Sequence, residues 1–75
     1  MFSESQSEAR KLKLDIVALA EHKHRKLGRI HHMSAKLAKR AEKISNQVDM
    51  EGAADEEQLK ELQIMFKHIR KWAHE

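Results

Sequence analysis

The side chains best suited to chemistry are the histidines in the stretch from residue 21 to 33. This stretch holds four of the six histidines and four of the fifteen Lys and Arg residues of the chain. Two histidines on a helix bind one metal ion when they lie three or four positions apart. His22 and His24 diverge by about 200° around a helix, and His31 and His32 by about 100°. His24 and His31 lie two turns apart, so no histidine pair in this stretch is three or four positions apart, as a metal site requires.

One pair of possible metal ligands does have helical spacing. Glu21 and His24 lie three positions apart, and a Glu-x-x-His pair on each of two helices is part of the di-iron bundle pattern. That pattern also requires carboxylates inside the core of the partner helices. Lys23, Arg25 and Lys26 surround the pair, and their charges would repel a metal ion. We expect no metal ion and no other cofactor.

Catalysis has little support among the remaining side chains. The chain has no cysteine and no tyrosine, and it has no Gly-rich phosphate loop. Ser34 and Ser45 fall in predicted helix without an evident base, orienting group or oxyanion donor. The sequence predicts a protein that is not an enzyme and has no small-molecule substrate.

Basic residues are concentrated in the middle of the chain. Residues 22–43 contain eight Lys and Arg against one Glu, whereas residues 49–61 contain six acidic residues against one Lys. On one continuous helix, the basic side chains would form a ridge able to follow a phosphate backbone. This basic ridge comprises Lys23, Arg25, Lys26, Arg29, Lys36, Lys39, Arg40 and Lys43. Against nucleic-acid binding, the region lacks aromatic side chains for base stacking and has no helix-turn-helix or zinc-finger signature.

Apolar residues recur at steps of three and four along most of the chain, which predicts amphipathic helices. Ser5, or alternatively Ser3, fits the N-cap of the first helix. Gly52 fits the end of a helix, and Asp55 fits the N-cap of the next one. The sequence thus predicts a single all-helical domain over residues 1–75, with a helix over 5–51, a turn over 52–55 and a helix over 56–74.

The conformation of Gly28 decides between two architectures. If the helix continues through Gly28, straight or bent, residues 5–51 form a rod of about 70 Å. The shorter antiparallel helix would cover less than half of this rod, so the helical hairpin would assemble into a dimeric four-helix bundle. The homodimer interface would then contain the apolar residues left uncovered, namely Leu12, Ile16, Leu19, Leu27 and Ile30. If the chain breaks at Gly28 instead, it forms a three-helix bundle.

The long helix is the favoured prediction because capping residues are missing after Gly28. No Ser, Thr, Asp or Asn follows Gly28 until Ser34, and a glycine inside a helix costs only about 1 kcal/mol relative to alanine. Leu27 and Gly28, preceded by basic residues, nevertheless resemble a helix C-terminus. Lys23 and Lys26 interrupt the apolar pattern at positions where core residues are expected.

The expected function is that of a small regulatory module, adaptor-like or chaperone-like, which binds another protein through helix packing. A nucleic-acid-binding regulator that uses the basic ridge is the alternative. The N-terminal residues do not fit a signal peptide, and the longest apolar runs are far too short to span a bilayer. The sequence therefore predicts a cytoplasmic protein that has no membrane partner.

Overall fold

Three α-helices make up the described part of the chain. The computed structural model describes residues 3–29 and 32–74, and no strand occurs in these ranges. The helices are α1 over Glu4–Leu27, α2 over His32–Glu51 and α3 over Glu56–Ala73. The bundle measures 38 × 18 × 18 Å, and its radius of gyration of 12.4 Å is close to the roughly 11 Å of a compact chain of this length. The all-helical prediction is confirmed.

Ser3, rather than Ser5, caps the start of α1. The Ser3 hydroxyl accepts a hydrogen bond of 3.1 Å from the Gln6 N–H and donates one of 3.0 Å to the Gly52 carbonyl. The Ser5 hydroxyl accepts a hydrogen bond of 3.1 Å from the Ala54 N–H. These contacts connect the start of α1 to the turn between α2 and α3.

Gly28 ends α1, so the predicted continuous helix over 5–51 is wrong. Its backbone is left-handed, with φ 70° and ψ 14°, a conformation that glycine adopts without a Cβ clash. The break reverses the chain and allows α2 and α3 both to pack on the apolar face of α1. Fully burying one Ile or Leu side chain contributes about 1.5–3 kcal/mol, which exceeds the roughly 1 kcal/mol that a preferred N-cap residue would contribute. The alternative prediction, three helices broken at Gly28, is the architecture that the structure shows.

The core lies between α1 and the two helices that cover it. Its largest fully buried side chains are Ile16, Ile44, Val48, Leu62 and Ile69. α2 and α3 each pack more extensively on α1 than on each other. The seam between α2 and α3 is therefore the more open side of the bundle.

The residues of the predicted homodimer interface differ in how far a single chain covers them. Ile16 is fully buried within one chain, and Leu12 and Leu19 pack against the same core. Leu27 is 42% exposed, and Ile30 lies outside the described residues. Because the first three are covered without a second subunit, the reason given for the homodimer no longer holds. The homodimer itself stays a prediction.

The turn before α3 forms as its local sequence predicts. Gly52 is left-handed, with φ 83°, and Asp55 is the N-cap of α3. The Asp55 carboxylate accepts a hydrogen bond of 2.8 Å from the Gln58 N–H, and the Gln58 side chain accepts one of 2.9 Å from the Asp55 N–H. This reciprocal capping box confirms the predicted helix start.

Candidate interaction surface

The direction of the helices determines which residues share an end of the bundle. Near the start of α1, Ser5 bonds Ala54 just before α3 begins. Near the end of α1, the Lys23 Nζ donates a hydrogen bond of 3.0 Å to the Trp72 carbonyl in the last turn of α3. α1 and α3 are therefore parallel, while α2 runs back toward the start of α1, where Asp49 accepts hydrogen bonds from α1. The N-termini of α1 and α3 share one end with the C-terminus of α2.

This first end is acidic. We define the acidic end as the first two turns of α1 and α3, the last two turns of α2, and Asp55. Its acidic residues are Glu4, Glu8, Asp49, Glu51, Asp55, Glu56, Glu57 and Glu61. Acidic side chains near a helix N-terminus interact favourably with the helix dipole, and two of the three helices start here.

The opposite end is basic. We define the basic end as the last two turns of α1 and α3, the first two turns of α2, and Arg29. Its Lys and Arg residues are Lys23, Arg25, Lys26, Arg29, Lys36, Lys39, Lys67, Arg70 and Lys71. Among the described residues of this end, Glu21 is the one acid. The basic end therefore attracts anionic groups, as expected for a surface of one charge sign.

A groove opens at the basic end between the start of α2 and the end of α3. We call it the α2–α3 groove; its volume is about 280 Å³. Its lining residues are Met33, Ser34, Leu37, His68, Ile69, Lys71 and Trp72. The Met33 side chain is 56% exposed, whereas Ile69 is fully buried and forms part of the floor. The groove thus presents an apolar interior beside basic side chains.

Lys23 connects α1 to the end of α3 and holds the indole that lines the groove. The residue is only 7% exposed. Its ammonium donates a hydrogen bond to the Trp72 carbonyl and lies 4.9 Å from the centre of the Trp72 ring. The first contact adds a hydrogen bond to a carbonyl in the last turn of α3, and the second is a cation–π interaction. Lys23 is therefore a structural member of the basic end and contributes little exposed charge.

The predicted basic ridge is not one continuous line, because the helix ends at Gly28. Lys23 is buried, and Arg40 forms an ion pair with Glu61 of α3, with Nε–Oε1 at 2.8 Å and Nη2–Oε2 at 3.4 Å. The hydrogen bond from Arg40 to Glu61 raises the pKa of Arg40 above its ordinary value. Arg40 is nevertheless exposed, as are the other members of the ridge, namely Arg25, Lys26, Arg29, Lys36, Lys39 and Lys43.

Three basic residues of α3 were missing from the predicted site. Lys67, Arg70 and Lys71 reach the basic end because α3 runs parallel to α1. The return to positive charge near the end of the chain is visible in the sequence. Its position beside the basic residues of α2 follows from α3 running back along α2 after the turn, and its position beside those of α1 follows from the break at Gly28.

The acidic end is held together by contacts between side chains. The Asp49 Oδ1 accepts hydrogen bonds of 3.0 Å from the Arg10 Nε and 3.2 Å from the Gln6 Nε2. The hydrogen bond from Arg10, followed by the one from Gln6, lowers the pKa of Asp49 below its ordinary value. Asp49 therefore ties the last turn of α2 to the first turns of α1.

Metal ions and membranes are two other kinds of partner that a helical protein can bind. Within residues 3–29 and 32–74, no group of three or more His, Asp or Glu side chains is placed to hold a metal ion. None of the helices in the described part of the chain is long and apolar enough to cross a membrane.

Comparison of the chain with protein-family models, with curated proteins and with solved structures found no match. Function is therefore inferred from the surface of this chain alone.

Proposed function

We propose that this protein is a non-enzymatic interaction module that binds a helix of another protein in the α2–α3 groove. The observation that carries the proposal is the exposed Met33 side chain beside Leu37, Ile69 and Trp72. Isolated exposed apolar side chains are normal on protein surfaces. Met33 differs because it lines a concave surface with three other apolar side chains.

Two other exposed apolar residues provide the contrast. Leu14 is 60% exposed and Ile64 is 47% exposed. The depression at Leu14 is lined otherwise by polar and charged side chains, and the one at Ile64 has Phe66 as its other apolar residue. These depressions have one and two large apolar lining residues, against four in the α2–α3 groove.

The size and shape of the groove suit side chains presented by a helix. Its volume of about 280 Å³ lies just below the range of roughly 300–1,000 Å³ for small-molecule pockets. A partner helix presents apolar side chains at positions i, i+3, i+4 and i+7, which suits a groove along two helices. Each large apolar side chain that becomes fully buried contributes about 1.5–3 kcal/mol. Met33 is an adaptable anchor because its side chain is unbranched and flexible.

The test uses Trp72, the one tryptophan of the chain, as a fluorescent reporter in the groove. The probe is an amphipathic peptide of about 18 residues, with leucines at i, i+3, i+4 and i+7 and glutamines on its polar face. We expect saturable changes in tryptophan emission below about 1 mM peptide. A peptide of the same composition in scrambled order should give no saturable change.

Met33 and Met50 provide a matched pair of exposed methionines for substitution. Met33 lines the groove, whereas Met50 is 88% exposed at the acidic end. Met33→Gln should weaken binding about tenfold, and Met50→Gln should leave binding unchanged. Equal binding by both variants, or no binding by the wild-type protein, would overturn the proposal.

Nucleic-acid binding by the basic end is the second candidate function. Its supporting observation is that Lys and Arg residues from all three helices gather at one end of the bundle. Affinity for duplex DNA or structured RNA would then fall steeply with salt. Replacing Lys26, Arg29, Lys36 and Lys71 together by Gln should flatten that dependence by roughly one unit of slope for each phosphate that the variant no longer neutralises.

A further inference from the structure

The surroundings of the α2–α3 groove give the chemistry of the partner. We propose that the bound helix is acidic and carries carboxylates on both sides of its apolar stripe. This inference rests on the proposed function, because it identifies the kind of helix that the groove accepts. Lys71 and His68 line the groove on the α3 side, and Lys36 lies on α2, three positions after Met33.

Charge complementarity singles out carboxylates as the groups beside the stripe. The first two turns of α2 and the last two turns of α3 contain no acidic residue, and Lys36, Lys39, Lys67 and Lys71 are all exposed there. A partner helix with basic flanks would meet like charges on both sides of the groove. A helix with glutamate flanks would meet cations on both sides, which favours association and suppresses wrong partners.

The apolar floor favours a protein over a nucleic acid. A phosphate backbone has no apolar side chains to place against Met33 and Leu37. Proteins that bind single strands without sequence preference stack bases on aromatic side chains. In the groove, the aromatic ring is that of Trp72, and the Lys23 ammonium lies over it. That face of the ring is therefore in contact with a cation and is not a stacking surface for a base. The groove therefore combines apolar anchoring with peripheral cations, as an acidic amphipathic helix requires.

The experiment compares three peptides that share one leucine stripe and differ in their polar faces, which carry Glu, Gln or Lys. Tryptophan emission of the full chain is titrated with each peptide at about 50 mM and about 500 mM salt, where screening lengths differ several-fold. At low salt, we expect the Glu peptide to bind about tenfold more tightly than the Gln peptide, with the Lys peptide weakest. At high salt, the three affinities should converge.

Two double variants locate the charge effect. Replacing Lys36 and Lys71 by Gln should remove most of the advantage of the Glu peptide and leave the affinity for the Gln peptide unchanged. Replacing Lys43 and Lys60 by Gln removes the same charge outside the groove lining, and should retain the advantage. A reduction of equal size in both double variants would overturn the inference, because it would indicate attraction by net charge alone.

The remaining outcomes separate the inference from the function on which it rests. If the Gln and Glu peptides bind equally at low salt, the acidic partner is wrong and the helix-binding groove stands. If no peptide binds, both are wrong. If no peptide binds while duplex RNA does, and RNA binding disappears after Lys36 and Lys71 are replaced by Gln, the basic end is a nucleic-acid surface instead.

Discussion

The acidic and basic ends of the bundle are built from the same three helices but differ in how their polar groups are used. At the acidic end, Ser3 bonds the Gly52 carbonyl, and Asp49 accepts two hydrogen bonds from α1. At the basic end, the contact between Lys23 and Trp72 connects α1 to α3. The groove beside that contact remains open, and most of the surrounding cations are exposed.

We propose that this difference separates stability from binding along the axis of the bundle. Polar groups at the acidic end are engaged in closing the turn and fixing the register of the helices. Exposed charge occurs at both ends, but at the basic end it lies beside the apolar α2–α3 groove, the feature that we propose a partner contacts. Removing a hydrogen bond at the acidic end should therefore affect unfolding, whereas removing a groove side chain should affect binding.

The largest effect is expected in the core that both ends share. Ile16 is fully buried, so Ile16→Ala should lower the free energy of unfolding by about 2–5 kcal/mol. That is a large part of the total stability of a domain of this size. Urea unfolding followed by circular dichroism measures the change. Leu14→Ala, at a site that is 60% exposed on the same helix, should stay within about 0.5 kcal/mol of wild type; similar destabilisation of both variants would contradict the described core.

A smaller effect, restricted to the basic end, is expected from Lys23→Met. The substitution keeps the aliphatic chain but removes the hydrogen bond to the Trp72 carbonyl and the cation over its ring, at a cost of about 1–3 kcal/mol. Amide hydrogen exchange should accelerate in the last turn of α3, and the emission of Trp72 should change.

Two observations control this prediction. Lys26→Met, at an exposed position of the same helix, should alter neither the exchange nor the emission. Uniform acceleration of exchange at both ends of the bundle would show that Lys23 acts on the whole fold.

The two left-handed glycines form a matched pair at opposite ends. Gly28 and Gly52 have φ of 70° and 83°, and an added Cβ would meet no atom within 4 Å at either site. Gly28→Ala and Gly52→Ala should therefore each destabilise by about 1–2 kcal/mol through backbone strain alone. Thermal unfolding measures both changes.

Gly28→Ala also tests the architecture. If the three-helix fold is correct, the variant should keep the helical content of the wild type and its mass in sedimentation. One chain has a mass of 8.8 kDa. An increase in helical content together with a doubled mass would show that the variant forms the continuous helix and its dimer.

Local features of this fold could be predicted from the sequence, and non-local ones could not. The Asp55 cap and the Gly52 turn depend on residues within three positions of each other, and both predictions are confirmed. The break at Gly28 depends on covering Ile16, which requires α2 and α3 to be in place. The sequence prediction weighed only local costs of about 1 kcal/mol each, for a glycine inside a helix and for a helix start without a capping residue. Neither cost includes the burial of Ile16.

The candidate site was also predicted only in part, because its contacts join residues far apart in the chain. The interruption of the apolar pattern at Lys23 was visible, but its partner Trp72 lies 49 positions along the chain. The basic ridge was inferred from α1 and α2, whereas the basic end also includes Lys67, Arg70 and Lys71 of α3. The continuous-helix prediction misplaced the direction of α1, which determines the contact between Lys23 and Trp72.

The smallest effect is expected from Asp49→Asn at the acidic end, and it should depend on pH. The pKa of Asp49 is lowered below its usual 3.8, so its ionised form stabilises the fold above about pH 4, and this contribution disappears as pH falls through the lowered pKa. Asp49→Asn should therefore lower the melting temperature slightly at pH 7 and show a shallower decline below pH 4. Melting curves from pH 2 to pH 7 measure this, and a wild type and variant with parallel curves would contradict it. Peptide binding in the groove should be unchanged in the variant.

The most direct test of the separation between the two ends is a titration of the ¹⁵N-labelled protein with the Glu peptide, followed by amide chemical shifts. We expect saturable shifts at Met33, Leu37, His68, Lys71 and the indole N–H of Trp72. The amides of Ser5, Asp49 and Gln58 at the acidic end should keep their positions. Shifts of similar size at both ends, or a binding site located at the acidic end, would contradict the assignment of the α2–α3 groove as the interaction surface.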